Sequence, residues 1–378
     1  MMKGCGLMRD VRVVQGKYTE KDILKTLEEN RKIDFEYELL SNTERILRKV
    51  NASGTVSFDS TAEIMRTASF QIQEENLNEL ARFYSDMRIR PVFKVLAPDS
   101  QWLSFPLGIF IMTSPKRSVE QNTVYWSVSC YDKAIILKED KLTDRYYVAA
   151  GTNYVSEIKK ILIGAGIDKI MIQNSELRTS TDLEFEIGTS KLDVINELLY
   201  AINYTPIHFD QRGFAVAERY IEPMQRATEL EYMTDDKSLI LPDTNQLTDF
   251  YNVPNVVVRY LDNPESGSLR SVYTNDNPDS LVSTVRRGRK IVDVESIDDI
   301  ADQATLDAYT KRIAIEKSQA YDSVNLTTGI MPMHGYQNCL FLRHDDLKIR
   351  TKYIEYGWSM ELAVGGRMDH QLKRVMYV

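Results

Sequence analysis

The segment TVYWSVSCYD, residues 123–132, alternates larger apolar residues with small polar ones. Side chains two positions apart point to the same face of a β-strand. One face therefore carries Val124, Trp126, Val128 and Cys130. Ser127 and Ser129 lie on the other face. This period of two predicts a strand with one face in a core and the other facing water or a partner, and Asp132 ends it.

Short strands continue through residues 34–131. ASGTVSFDS, ASFQIQ, RPVFKVL and WLSFPLGIFIM are separated by Pro and Gly turns, which is typical of β-structure. NLNELARFYSDM places Leu77, Leu80 and Phe83 at helical spacing and predicts one short helix. Several short strands with a single helix indicate a small barrel or sandwich.

The pattern changes between residues 143 and 220. NYVSEIKKILIGAGI and SKLDVINELLYAINY each carry an apolar stripe with helical spacing. Gly164 or Gly166 can end the first helix, and Ser190 with Asp193 forms a capping-box-like pair for the second. TPIHFDQRGFAVAERYI predicts a hairpin that turns at residues 210–213. We expect a compact α+β module here.

Strands dominate again after residue 221. YIEYGWSMELAVGG predicts a strand whose core face holds Ile354, Tyr356, Trp358, Met360 and Leu362. The polar segment LDNPESGSLRSVYTNDNPDS, residues 261–280, predicts a loop or extended arm with a functional or interface role. TLDAYTKRIAIEKSQAY predicts a helix that begins near Thr305.

Composition narrows the class of protein. A length of 378 residues favours two to four domains, and a formal net charge of −8 argues against a dedicated nucleic-acid binder. Three cysteines without a CxxC pair argue against a disulfide framework and favour synthesis in a reducing compartment. No segment is apolar over the ~20 residues that span a bilayer. The start, MMKGCGLMRD, lacks the apolar core of a signal peptide.

Residues suited to catalysis or metal binding are scattered. The histidines are isolated in the sequence: His208, His334, His344 and His370. The HDD segment, residues 344–346, is interpreted as a polar turn rather than a metal or proton-transfer site, and GAGID, residues 164–168, as a helix end rather than a phosphate loop. No carboxylate pair stands out as that of a glycosidase. The sequence therefore predicts no catalytic residue, cofactor or metal.

Two basic windows are candidate contact sites. STVRRGRKIVD contains Arg286, Arg287, Arg289 and Lys290. They either bind an acidic partner or line a channel, or they form a solvated hairpin tip. SPKR, with Lys116 and Arg117, is a weaker example with the same alternatives.

The order and spacing of these segments resemble the central baseplate-hub proteins of phage tails and related contractile injection particles. The resemblance is carried by STAEIMRTASFQI, IRPVF…FPLGIFIM…YWSVSCYDKAIIL, TSKLDVINELLYAINYTPIHFDQRGFAVAERYIEP, DFYNVPNVVVRY, VSTVRRGRK and AVGGRMDH. It extends over most of the chain from about Asp34 onward. It implies an α+β, β-rich multidomain protein with two tail-tube-like β-barrels and smaller α+β modules.

The resemblance also implies a domain division. An N-terminal segment covers residues 1–29, the first barrel 30–140 and an α+β module 141–214. The second, discontinuous barrel covers 215–260 and 320–378. An insertion with an arm and a helix covers 261–319.

The resemblance implies a structural role without enzymatic activity. Such hubs are homotrimers whose two barrels per subunit make a pseudo-sixfold ring. The ring joins the hexameric tail tube above to a trimeric spike or tip below and encloses the central channel. Other baseplate proteins, and the C-terminus of a tape-measure protein, are further expected partners, whereas sequence-specific nucleic-acid binding is not expected. The resemblance therefore implies that the protein is made in the host bacterial cytoplasm and is located in the virion or a phage-tail-like particle.

The alternative function is a tail-associated cell-wall hydrolase, either a lysin or a depolymerase. Tail-tip proteins that resemble this family sometimes carry such a domain after the hub portion. Since this sequence ends directly after its final strand signals, at Val378, we expect no such domain.

Overall fold

The chain is built mainly from β-strands in a computed structural model that describes residues 18–29, 31–74, 87–120, 122–235, 238–249, 251, 253–263, 267–319 and 322–375. The strands are β1 Ile33–Leu40, β2 Ile46–Val50, β3 Ala52–Asp59, β4 Arg66–Gln73, β5 Arg88–Leu96, β6 Trp102–Pro106, β7 Phe110–Glu120, β8 Thr123–Tyr131, β9 Tyr146–Val148, β10 Ile170–Ile172, β11 Leu183–Phe185, β12 His208–Phe209, β13 Ala215–Ala217, β14 Leu230–Met233, β15 Asn245–Thr248, β16 Val256–Asn263, β17 Gly267–Thr274, β18 Val292–Ser296, β19 Asp322–Gly329, β20 Cys339–His344, β21 Ile349–Glu361 and β22 Arg367–Arg374. The helices of the described residues are α1 Glu20–Glu28, α2 Ala134–Glu139, α3 Tyr154–Gly164, α4 Lys191–Tyr200, α5 Thr284–Arg287 and α6 Gln303–Gln319. The predicted β-rich α+β class is confirmed. The helix predicted in NLNELARFYSDM falls on residues outside those described.

One large sheet joins the two regions that were predicted to be separate barrels. Fourteen strands belong to it, in the order β15-β19-β22-β21-β3-β4-β8-β7-β5-β1-β2, with β6 paired to β5 and with β20 joining β14 to β21. We call β1–β8 the first half of the sheet and β14, β15 and β19–β22 the second half. Antiparallel pairing of β21 with β3 connects the halves, so the strand pairings of the described residues form one open path.

The two faces of β8 have the predicted environments. Trp126, Val128 and Cys130 are buried in the core of the first half, and Val124 is partly buried. Ser127 and Ser129 are exposed. The alternation in the sequence therefore marks the core face of this strand correctly.

Asp132 turns the chain from β8 into α2. Its backbone N–H donates to the carbonyl oxygen of Arg66 on β4. Its Oδ1 accepts a hydrogen bond of 2.9 Å from the N–H of Ala134, the first residue of α2. The side chain thereby satisfies one of the donors that every helix leaves unpaired at its N-terminus.

The helices and the hairpin predicted between residues 143 and 220 form as the sequence predicts. Ser190 Oγ accepts from the N–H of Asp193 at 3.1 Å and caps α4. α3 ends at Gly164, and Gly166 follows with a positive φ of 78°. At the predicted hairpin turn, Asp210 Oδ1 accepts from the N–H of Phe214 at 2.7 Å. The two helices pack together over a common apolar core.

Within residues 261–280, which were predicted to form a loop or an extended arm, Gly267–Thr274 is strand β17, whereas residues 275–280 form an irregular segment with a turn. β17 pairs with β16 along its whole length, from Val256 opposite Thr274 to Asn263 opposite Gly267. β16 also pairs in parallel with β18, which makes a three-stranded sheet with α6 packed against it. The sequence is polar because β17 is an edge strand of this small sheet, where few side chains enter a core. The helix predicted near Thr305 is α6.

A β-bulge interrupts the face predicted for β21. The register against β22 shifts between Glu355 and Gly357. As a result, Ile354 lies in a small separate cluster with Cys339, whereas Trp358 and Met360 lie in the core of the first half. The prediction of one continuous face is wrong here, because an extra residue in one strand reverses the faces beyond it.

None of the described helices is long and apolar enough to cross a lipid bilayer.

Candidate functional site

The basic window at residues 286–290 contains a helical turn, so the hairpin-tip interpretation is wrong. Ser283 Oγ accepts from the N–H of Arg286 at 3.2 Å and begins α5, and Gly288 ends it with a φ of 63°. The Arg286 side chain donates to the carbonyl oxygen of Pro278 at 2.8 Å. Arg289 and Lys290 are exposed. Binding of an acidic partner by this window stays a prediction.

The second basic window lies on the exposed outer part of β7. Arg117 pairs with Glu74 through Nε and Nη2, at 2.9 and 2.8 Å, and its guanidinium lies 5.6 Å from the ring centroid of Trp126. Lys116 is exposed beside it. The two basic windows belong to different parts of the molecule: one lies in the large sheet and the other immediately precedes β18 of the small sheet.

Both ends of the large sheet expose apolar side chains. On β2, Ile46 is 54% exposed, and on β15, Leu247 is 64% exposed. An edge strand also presents backbone N–H and C=O groups that can pair with another chain. These two edges are therefore candidate contact surfaces, at opposite ends of the strand order.

The small sheet carries an apolar face opposite α6. Inward residues such as Val257 and Arg259 are buried, because α6 covers that side. The opposite side exposes Tyr260, Val272, Val292 and Val294, which are between 37% and 59% exposed. Contiguous exposed apolar residues mark sites of association in soluble proteins.

An ion-pair cluster around Glu44 connects the α+β region to the first half of the large sheet. Glu44, in the turn after β1, accepts from Lys133 Nζ at 2.9 Å, from Arg88 Nη1 at 2.9 Å and from Lys169 Nζ at 2.5 Å. Lys133 immediately precedes α2 and Lys169 follows α3, so one carboxylate joins three parts of the chain. No local pattern predicts this contact, because the four residues are far apart in the sequence.

The second half contains a buried polar cluster, defined by Tyr232, Thr328, His334, Glu355 and His370, which are all buried. Glu355 lies between the two imidazoles: Nδ1 of His334 is 2.5 Å from Oε2, and Nδ1 of His370 is 2.6 Å from Oε1. At the far side of each ring, Nε2 of His334 is 2.8 Å from the hydroxyl of Tyr232, and Nε2 of His370 is 2.8 Å from that of Thr328.

Burial controls protonation in this cluster. It raises the pKa of the Glu355 carboxyl, because the charged form loses its hydration. For the same reason the pKa of His334 falls to about 3, and that of His370 falls below its ordinary value. Burial also raises the pKa of the Tyr232 hydroxyl. The cluster therefore favours neutral groups.

The structure corrects the interpretation that all four histidines are isolated. His334 and His370 lie with Glu355 in a group whose ligand atoms are within 4.8 Å of one another. His208 instead stacks on Tyr336, at 4.2 Å between ring centroids. His344 ends β20, and the HDD segment is the predicted polar turn before β21. One signal was available for His370, which alternates with Met368 and Leu372 at core positions of β22.

The fold is similar to that of solved tail proteins, one of them from a prophage. Over 90% of the chain it is similar to a tail protein from Neisseria meningitidis MC58, with a TM-score of 0.64, 14% identity and 96% of that chain covered. It is also similar to the 43 kDa tail protein of prophage MuSo2 from Shewanella oneidensis, with a TM-score of 0.62, 9% identity and coverage of 90% and 98%. A chain of the Francisella PdpA–VgrG complex is similar as well, with a TM-score of 0.56 and 8% identity. The match covers 93% of this chain and 53% of that one.

No protein-family model matches the sequence, and no curated protein matches it either. At identities of 8–14% the similar structures establish the fold. The similarity to tail proteins is thus established for the fold, over about 90% of the chain.

Proposed function

We propose that this chain is a structural hub protein of a phage-type tail tip. Three copies would form a pseudo-sixfold ring that joins the hexameric tail tube to a trimeric spike or tip and encloses the channel. The observation that carries this proposal is the match of 90% of the chain to 96% and 98% of two tail proteins. A match over both whole chains favours a shared architecture rather than a shared single domain.

The open large sheet supports assembly into a ring. A cyclic trimer uses heterologous contacts, in which one surface of a subunit meets a different surface of the next. The edges at β2 and β15 are two such surfaces, and each exposes an apolar side chain. In this proposal residues 30–140 and the pair 215–260 and 320–378 supply the two ring-forming units of each subunit. Residues 141–214 and 261–319 lie at the periphery or lower face.

The ring is tested by the mass of the purified chain in solution, measured by light scattering and followed by negative-stain averaging. We expect three times the 43.6 kDa subunit and a threefold ring with a central hole. Ile46→Glu and Leu247→Glu should each reduce the mass to that of one subunit, because each places a charge at an edge contact. Ile163→Glu, at an exposed position on α3, is the matched control and should keep the trimer. A wild-type chain that is a monomer at all concentrations would contradict the proposal.

The hydrolase alternative is tested at Glu197, which is partly exposed, whereas the carboxyl groups of Asp132 and Glu355 are buried. Burial, together with the nearby carboxylates of Asp298 and Asp299, raises the pKa of Glu197 to about 7, a value suited to a general acid. The hub proposal predicts that the wild type and Glu197→Gln behave alike in a cell-wall degradation assay, with no turnover by either. Hydrolysis by the wild type that is lost in this variant would favour the alternative.

A further inference from the structure

The hydrogen bonds of the buried polar cluster specify where its protons are. Besides its contact with His370, the Thr328 hydroxyl lies 2.9 Å from the carbonyl oxygen of Gly329. A carbonyl only accepts, and a hydroxyl has a single proton to donate. When Thr328 donates to Gly329, it must accept from His370, so Nε2 of His370 carries a hydrogen.

This assignment leaves one contact without a hydrogen. A neutral imidazole carries one N–H, so Nδ1 of His370 is then a lone pair. It faces Glu355 Oε1 at 2.6 Å, and an ionised carboxylate is also only an acceptor. Two acceptors at this distance repel, and both are fully buried. With Thr328 donating to Gly329, a cation must therefore lie between them.

The distances distinguish a proton from a metal ion. Zinc lies about 2.0–2.2 Å from its nitrogen and oxygen ligands in a tetrahedral arrangement, which holds those ligand atoms roughly 3.3 Å apart. Here the nitrogen–oxygen distances are 2.5 and 2.6 Å, well below that separation. These short contacts match hydrogens shared between nitrogen and oxygen.

We propose that the buried polar cluster is a proton-binding site, in which one proton is held between Glu355 and His370 at neutral pH. The net charge of the cluster is then zero, whether the proton resides on the carboxyl or on the imidazole. This inference is independent of the hub function. It concerns how the second half is held together, since the cluster joins β14, β19, β21, β22 and the segment before β20.

The surrounding charges act on this site from several elements. Glu229, beside β14, favours protonation of His334 and of Glu355. Arg31 and Glu28, near the end of α1, act in opposite directions on Tyr232. Burial is the largest cause of the raised pKa of Glu355, and its direction agrees with a retained proton.

Linkage fixes the sign of the pH dependence. In the unfolded chain Glu355 ionises near pH 4.3 and histidine is neutral above about 6.5. Above pH 7 the folded state therefore binds one proton more than the unfolded state. The resulting stability is lost as pH rises towards the pKa of the folded cluster, and the unfolding equilibrium constant should rise about tenfold per pH unit.

The test compares urea unfolding of the wild type and Glu355→Gln between pH 7 and 9. The amide of the introduced glutamine would donate to Nδ1 of His370 and accept from Nδ1 of His334, so it supplies the missing hydrogen covalently. We expect this variant to fold. Its unfolding equilibrium constant should rise less steeply with pH than that of the wild type, by a factor of about ten per pH unit. Glu361→Gln, at an exposed position on the same strand, should keep the wild-type slope.

Three results would overturn the proposal. Equal slopes for the wild type and Glu355→Gln would mean that no proton is bound, and failure of the variant to fold would mean that an amide cannot replace the protonated cluster. Stoichiometric zinc in the purified wild type, measured by mass spectrometry of the metal, would mean that a metal occupies the site. Calorimetric unfolding of the wild type at pH 8, in two buffers of different ionisation enthalpy, counts the released proton without any variant.

Discussion

The two halves of the large sheet fill their interiors in different ways. The first half has an apolar core rich in aromatic rings, in which Phe70 contacts both Tyr37 and Phe110 edge-to-face at about 6 Å. The second half has a smaller apolar core around Leu326, Leu340 and Tyr353 and places the buried polar cluster next to it. One continuous sheet thus contains two kinds of core.

The two cores define the structure of each half by different means. The hydrophobic effect that stabilises the aromatic core is non-directional and largely independent of pH, and it scales with the apolar area removed from water. A buried hydrogen-bonded cluster is directional: it tolerates only geometries in which every group has a partner. We therefore expect mutations in the first half to act through volume and burial, and mutations at the cluster to act through protonation.

The largest expected effect comes from Trp126→Asp in the first half. Trp126 is buried, and its Nε1 donates to Glu74 Oε2 at 2.8 Å. Aspartate would bring an unpaired charge into the core, beside the carboxylate of Glu74, at a cost of several kcal/mol. We expect loss of the folded protein, measured by circular dichroism and by soluble yield.

The neighbouring position supplies the control for that substitution. Ser127 is exposed on the other face of β8, so Ser127→Asp should leave the free energy of unfolding within about 0.5 kcal/mol of the wild type. Folding of Trp126→Asp with wild-type stability would show that the core face of β8 has been assigned wrongly.

A smaller, pH-dependent effect on stability is expected at Asp132, a titratable group that directly follows β8 of the first half. Burial raises the pKa of Asp132 to about 7, although the N–H of Ala134 and the charge of Arg66 oppose this shift. Since the unfolded value is near 3.9, the folded state holds an extra proton between these values, and its stabilising contribution is lost as pH rises through 7. Asp132→Asn should therefore gain stability relative to the wild type as pH rises. The difference between their free energies of unfolding should shift in favour of the variant by on the order of 2–4 kcal/mol between pH 4 and pH 8.

Chemical denaturation at pH 4, 6 and 8 measures this difference. Asp168→Asn, at an exposed position, should follow the wild type at every pH. If the difference in free energy of unfolding between the wild type and Asp132→Asn does not change with pH, Asp132 does not titrate in this range. The pH dependence would then be confined to the second half.

The smallest effect is expected at Arg117, at the surface of the first half. Its side chain is about half exposed while its partner Glu74 is buried, and the pair is bidentate. Arg117→Ala should destabilise by about 1 kcal/mol, and less at high salt, because the half-exposed guanidinium of Arg117 leaves its charge open to screening by salt. Lys116→Ala is the adjacent control and should have no measurable effect on thermal unfolding. A loss above about 3 kcal/mol for Arg117→Ala would mean that this ion pair is part of the core.

Much of the fold follows from local patterns in the sequence. The alternation in β8 and the cap at Ser190 act through a few neighbouring residues, so the sequence alone predicts them. β17 was missed because an edge strand needs few apolar residues and its pairing with β16 satisfies the backbone instead. The register shift after Glu355 was missed because a bulge depends on both strands of a pair.

The buried polar cluster could not be predicted from spacing. His370 and Glu355 are 15 residues apart, and Thr328 is 42 residues from His370. They meet only because β22 lies between β19 and β21 in the sheet. The position of His370 among alternating core residues was the available signal, and it indicates burial rather than a partner.

The pairing of β21 with β3 also determines how the molecule bears a mechanical load. β21 is 13 residues long, so it extends about 40 Å, and it pairs with β20 and β22 in the second half and with β3 in the first. Tension that pulls the two halves apart along this strand loads its interstrand hydrogen bonds together, in shear, instead of one after another. A protein whose halves met only through side chains would separate at that contact, whereas here the polypeptide strand itself carries the force from one half to the other.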